Sequence, residues 1–135
     1  PRALAFPQTM IGSAGMPHDS APHPRLWGTF PRVLGHYCRD VGLFSLEEAV
    51  HKMTGLTARH FRLPGRGVLC EGAFADITVF DADRIADRAT WDAPTLRAEG
   101  IDTVIVNGQP TWQDGRSVGA RGGRVVRLTD AARGH

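Results

Sequence analysis

The residue types that do chemistry gather near one end of this chain. His18, Asp19 and His23 fall within a Pro- and His-rich stretch from Met16 to Pro24, and Arg25 follows at once. Two imidazoles and a carboxylate are donors that zinc accepts. Their spacing matches no zinc motif, and loop histidines are commonly plain hydrogen-bond partners. Serine chemistry would want a G-x-S-x-G elbow, which Gly12-Ser13-Ala14-Gly15 does not supply. There is no phosphate-cradling glycine loop either. His36, His51 and His60 fall on expected helices or their edges and read as structural. Cys38 and Cys70 lie far apart, outside any C-x-x-C pair. Both read as free thiols, with Cys38 buried on a helix, in a reducing and therefore cytoplasmic compartment.

The elements that must position these groups follow from patterning. Thr9-Met10-Ile11-Gly12 is a short apolar run with β-branched members, read as a strand that opens into a long loop at Ser13. No partner strand follows nearby, so it must pair with something absent or distant. Thr29 can cap a helix carrying Phe30, Val33, Leu34 and Tyr37, with Gly42 as its stop. Ser45-Leu46-Glu47-Glu48 is a capping box for a helix striped by Leu46, Ala49, Val50 and Met53, with Gly55 suited to its end. Thr57 can cap a further short helix through Phe61, closed by Pro64 and Gly65.

The character changes at Gly65. Val68-Leu69 and Ile77–Phe80 read as strands around a turn at Glu71-Gly72, and residues 84–100 as irregular. Ile101–Val106 is a strand, Asn107-Gly108 a hairpin turn, and Pro110-Thr111-Trp112 the return. Asp114-Gly115 offers a second turn, and Val125–Leu128 a last strand. In the Ile77–Phe80 run, Ile77 and Val79 alternate inward, and Asp76 before it can cap local backbone donors.

Composition narrows the class. With 41% hydrophobic and 22% charged residues, the chain is globular, neither disordered nor membrane-spanning. The net charge is +2, and Lys52 is the only lysine among 16 basic residues. The arginines are dispersed rather than gathered into a stripe, which argues against nucleic-acid binding. Pro1-Arg2-Ala3-Leu4-Ala5-Phe6 is no signal peptide, and a start without methionine reads as a cut from something longer.

Two motifs carry a resemblance. Gly67-Val68-Leu69-Cys70-Glu71-Gly72-Ala73-Phe74-Ala75-Asp76-Ile77-Thr78-Val79-Phe80-Asp81 resembles the segment that follows the barrel in amidohydrolases, and Val104–Gly108 with Trp112 and Gly115 resembles the next hairpin. Ile11–Asp19, Pro22–Gly35 and His51–Ala58 are similar to the N-acyl-D-amino-acid deacylases, or D-aminoacylases, among them the D-glutamate and D-aspartate enzymes. The resemblance runs through almost the whole chain. It implies an α/β fold, with the last strand and helices of a (β/α)8 amidohydrolase barrel over 1–64 and strands of a small β-sandwich domain over 65–135.

It also implies a zinc-dependent hydrolase acting on N-acyl-D-amino acids, with the remainder of the barrel as this chain's partner. The position of Ala14 belongs to the family's catalytic aspartate, which handles the proton of a metal-bound water and passes it to the leaving amine. Alanine has no ionisable group and no ligand atom, so activity is not expected here. An engineered substitution, a natural loss, or a residue elsewhere taking over would each account for it. Arg25 is implied to grip the substrate carboxylate, a task that suits a planar guanidinium. Its plain alternative is bracing of the loop. The family's metal-binding His-x-His pair and bridging cysteine do not occur, so no metal ligands are expected in this segment. The rival to the hydrolase is a non-catalytic fragment or degenerate homologue acting as a binding module.

Overall fold

The computed structural model describes residues 2–16 and 18–127. Helices come first: α1 (Arg2–Ala5), α2 (Arg25–Arg32), a π-helical segment Val33–Asp40, α3 (Leu46–Met53) and α4 (Gly55–His60). Strands follow: β1 (Ile77–Phe80), β2 (Ile101–Val106), β3 (Gln109–Gln113) and β4 (Arg116–Ser117).

The expected Thr9–Gly12 strand does not form. Thr9 N bonds back to Phe6 O, and Ile11 N donates to Lys52 O of α3 at 3.3 Å. A helix carbonyl cannot extend a ladder, and a strand without a neighbouring strand is not a strand. Lys52 secures this segment. It is fully buried, and its Nζ donates to Phe6 O at 2.6 Å, with the Glu48 carboxylate 3.7 Å away.

α2 starts at Arg25, earlier than the expected cap at Thr29. Pro24 already has helical dihedrals, φ −52° and ψ −28°, which its ring favours. Thr29 therefore lies inside the helix and donates Oγ1 to Arg25 O at 2.7 Å. Pro31 lies inside the helix and has no N–H to give the ladder. Beyond it the bonding widens, and Val41 N reaches His36 O in an i→i−5 bond of 2.9 Å. Gly42, at φ +63°, ends the run as expected.

Ser45 caps α3, its Oγ accepting from Glu48 N at 3.2 Å. The return half of the box differs from expectation, because the Glu48 side chain turns to Lys52. Glu47 meets Ser45 instead, and its own backbone N–H and then the Ser45 hydroxyl hold its carboxyl below the usual range. Thr54, at φ −125° and ψ −90°, breaks the chain between helices, so Gly55 opens α4 rather than ending α3. Thr57 lies within α4 and donates Oγ1 to Lys52 O at 3.1 Å.

The core is built by Ile11, Val33, Leu34, Phe44 and Ala49 together with Ile85, which follows β1. Ile85 is 1% exposed. It fits because Gly35 has no Cβ; one placed there would overlap the Ile85 carbonyl oxygen. Phe80 and Ile101 pack on the same cluster.

The strands form one antiparallel sheet in the order β1-β2-β3-β4. Asn107 (φ 48°) and Gly108 (φ 79°) make the β2–β3 turn; left-handed dihedrals at both central residues match the strand twist. Asp114-Gly115 makes the β3–β4 turn in the same way. Val79 does not point inward: the register shifts between Val79 and Phe80, which leaves Val79 outside and turns Phe80 to the core. Val68 and Leu69 are exposed and form no strand, since neither pairs with a neighbour. Val125–Arg127 forms no strand, and Leu128 lies outside the described residues. Between helices and sheet lies an apolar cleft of about 930 Å³, lined by residues such as Trp27, Leu34, Met53, Phe80 and Trp112. No helix among the described residues is long and apolar enough to cross a membrane.

Candidate active-site segment at the start of the second helix

The first turn of α2 gathers the residues that the sequence brings forward. A helix begins with backbone N–H groups that have no partner within it, and Pro24 has no side-chain acceptor to offer them. His23 supplies one. Its Nδ1 accepts from Arg25 N at 3.0 Å, and its carbonyl accepts from Leu26 N at 3.1 Å. Pro24 O takes Trp27 N and Gly28 N. An imidazole nitrogen that accepts is unprotonated, so the ring proton sits on Nε2. The ring packs against Trp91, with centroids 4.5 Å apart.

Arg25 reaches across to the preceding segment. Its Nε donates to Ala14 O at 2.8 Å, and its own carbonyl accepts from Ser13 Oγ at 3.0 Å. Position 14 and Arg25 are thus adjacent in space, although a loop separates them in the chain. One guanidinium edge is spent on this tie. The other N–H donors have no hydrogen-bond partner among the described residues, and the side chain is exposed. Arg25 also runs against the helix dipole, since a cation at the first helical position is disfavoured and an anion is favoured. The first turn of α2 contains no acidic residue. A bound carboxylate would relieve that mismatch.

The other candidates do not converge. His18 and Asp19 make no metal-binding cluster with His23; Asp19 instead accepts weakly from Ala21 N at 3.4 Å. Among the described residues no group of three or more His, Cys, Asp or Glu side chains could hold a metal ion. The residues present therefore do not by themselves fit a zinc centre. His36, His51 and His60 lie on the π-helical segment, α3 and α4. Cys38 is half-buried, and burial, followed by the Glu47 charge, pushes its thiol up.

A model described as the amidohydrolase family matches residues 13–112. The chain belongs to the amidohydrolase family. This amidohydrolase chain is 62% identical to a D-aminoacylase of Alcaligenes xylosoxydans xylosoxydans over 130 residues, which is 96% of this chain and 27% of that protein. It therefore spans about a quarter of that relative's length. An aspartate-to-alanine mutant of a D-aminoacylase, solved with copper chloride, superposes with a TM-score of 0.91 at 61% identity, covering 93% of this chain and 26% of the other. An N-acyl-D-glutamate deacylase from Bordetella bronchiseptica, solved with zinc and a phosphonate mimic of the tetrahedral intermediate, gives 0.82 at 53% identity, covering 85% and 24%.

The roles of three residues escaped the sequence reading. Ser13 and His23 hold Arg25 through its carbonyl and its amide. For His23 the signal was adjacency to Pro24, which has no side-chain acceptor to cap the helix; Ser13 carried none. Arg66 ties Asp76 to the β2–β3 turn: its guanidinium pairs with the Asp76 carboxylate and donates to Asn107 Oδ1 at 2.8 Å. Asp76 accepts from Asn107 N at 2.8 Å, so it caps a distant turn, not the local backbone expected of it.

Proposed function

We propose that this chain is the part of a zinc-dependent N-acyl-D-amino-acid deacylase that binds the substrate carboxylate and carries the proton-transfer position. Residues 1–64 close a (β/α)8 barrel in this reading, and 65–135 belong to a small β-sandwich domain. The whole enzyme would be cytoplasmic, a setting that suits the two free thiols.

The observation that carries the reading is the tie between Arg25 and Ala14. It holds a guanidinium, with donors to spare, beside residue 14, which this reading assigns to the family's catalytic aspartate. A carboxylate gripped there would be oriented about its alpha carbon, which is how one enantiomer is favoured. Zinc would supply polarisation of the scissile carbonyl, on ligands outside this chain. What this chain lacks is the acid at position 14: alanine cannot hold or release a proton. The protein as it stands is therefore inactive in this reading.

The test is hydrolysis of an N-acetyl-D-amino-acid panel by the full-length protein, with alanine at position 14 and with Ala14→Asp. Aspartate should raise the rate by roughly 100- to 10,000-fold, the usual worth of a positioned proton-transfer group. A second reading, a non-catalytic binding module, is favoured by the alanine itself and by the lack of a metal-binding cluster among the described residues. It takes the lead if both forms are folded, zinc-loaded and inert.

A further inference from the structure

We propose that His23 is the positioning residue for Arg25, and that Trp91 fixes its ring. The inference rests on the reading of Arg25 as the carboxylate clamp and deepens it. A clamp works only if its backbone is held, because a guanidinium on a frayed helix end samples many positions and loses the benefit of its planar fork. Fraying is the default at a helix start that has no capping side chain. Pro24 occupies the cap position with nothing to offer. The Arg25 amide would then be unpartnered, and it is the amide nearest the working side chain.

His23 Nδ1 removes that weakness, accepting from Arg25 N at 3.0 Å. Ser13 Oγ and Thr29 Oγ1 hold the same residue at its carbonyl. The Arg25 backbone is therefore bound on both sides of its Cα. The imidazole needs its own restraint, since it must present one nitrogen edge-on. Trp91 provides it from the connection between β1 and β2, its ring 4.5 Å from the imidazole. Trp91 is 74% exposed, so packing in the core does not account for its place. The contact links the strand-rich part of the chain to the carboxylate side of the site.

The experiment uses the full-length protein with alanine at position 14, where slow turnover leaves binding measurable. Calorimetry compares the affinity of N-acetyl-D-leucine, N-acetyl-D-glutamate and N-acetyl-D-aspartate with that of the matching alpha-carboxamides. The ratio of the two reports the clamp and is insensitive to general loosening. His23→Phe keeps an aromatic ring against Trp91 and loses the acceptor, and should cut the carboxylate preference roughly tenfold, the scale of one hydrogen bond. His23→Asn should restore it to within about twofold, because an asparagine side chain can accept from the amide two residues on. Should His23→Phe fail to fold, Trp91→Ala serves in its place and should lower the preference by about threefold, a fraction of that hydrogen bond.

Arg25→Lys separates the two levels of the claim. If it abolishes the preference while His23→Phe and Trp91→Ala leave it intact, His23 is merely structural and the inference falls, with the clamp standing. If Arg25→Lys leaves the preference unchanged, or if no acid binds better than its amide, the clamp reading falls and takes this one with it.

Discussion

The helical part of the chain and its sheet are held together by different forces. The helices close on buried carbon: Val33 is 3% exposed and Ala49 is fully buried. The strands bury little, and β1, β2 and β3 have no fully buried residue. Their order comes from two tight turns and from the clamp in which Arg66 joins Asp76 to Asn107, with Phe74 stacked 4.3 Å from the guanidinium. Ile85 is the exception, a buried residue from the strand-rich part inserted among the helices. Burial is spread over many contacts and tolerates small losses. A polar clamp is concentrated, so one substitution can undo it.

That contrast can be broken in stages. The largest effect should come from Gly35→Val, which drives a side chain into the Ile85 carbonyl. Overpacking of this kind costs about 3 kcal/mol. Hydrogen exchange on the full-length protein should show protection lost in Val33–Asp40 and around Ile85 together. Loss in the helices alone would mean that the two parts are independent. Next is Asp76→Ala, which leaves a half-buried Arg66 without its carboxylate and Asn107 N without its acceptor and should cost roughly 2 kcal/mol. Protection should fall at Asn107 and along β2 while α3 is untouched. If α3 loosens equally, the clamp is not local to the sheet.

Ser45→Ala removes the acceptor for Glu48 N and should cost about 1 kcal/mol. The loss should show as faster exchange in the first turn of α3, with the sheet as internal control. The smallest effect concerns the two thiols. Cys38 is half-buried with its thiol pushed up, whereas Cys70 is exposed. A raised thiol holds less thiolate at any given pH, and thiolate is the reactive form. Maleimide labelling near neutral pH, read by peptide mass spectrometry, should therefore mark Cys70 well before Cys38. Equal rates would show that the π-helical segment opens freely.

Much of the local structure was legible because short-range rules decide it. Asn107-Gly108 and Asp114-Gly115 announced their turns, since the left-handed region excludes most other pairs. Ser45 announced its helix for a similar reason: its side chain can bond only to the backbone beside it. Ala14 and Arg25 were singled out by residue type and resemblance. Their adjacency was not legible, because the 2.8 Å bond from Arg25 Nε to Ala14 O depends on how a loop folds back.

What the sequence determined by itself were the turns, the Ser45 cap, the general run from helices to strands, and the alanine at position 14. Tertiary structure alone decided that Thr9–Gly12 is not a strand, that Val79 faces outward, that Lys52 is buried against Phe6, and that His23 meets Trp91. The division has one physical cause. Dihedral preferences and caps act between residues a few positions apart, so the chain states them directly. Strand partners, register shifts and ring contacts depend on which distant groups arrive opposite, and only the folded packing selects those.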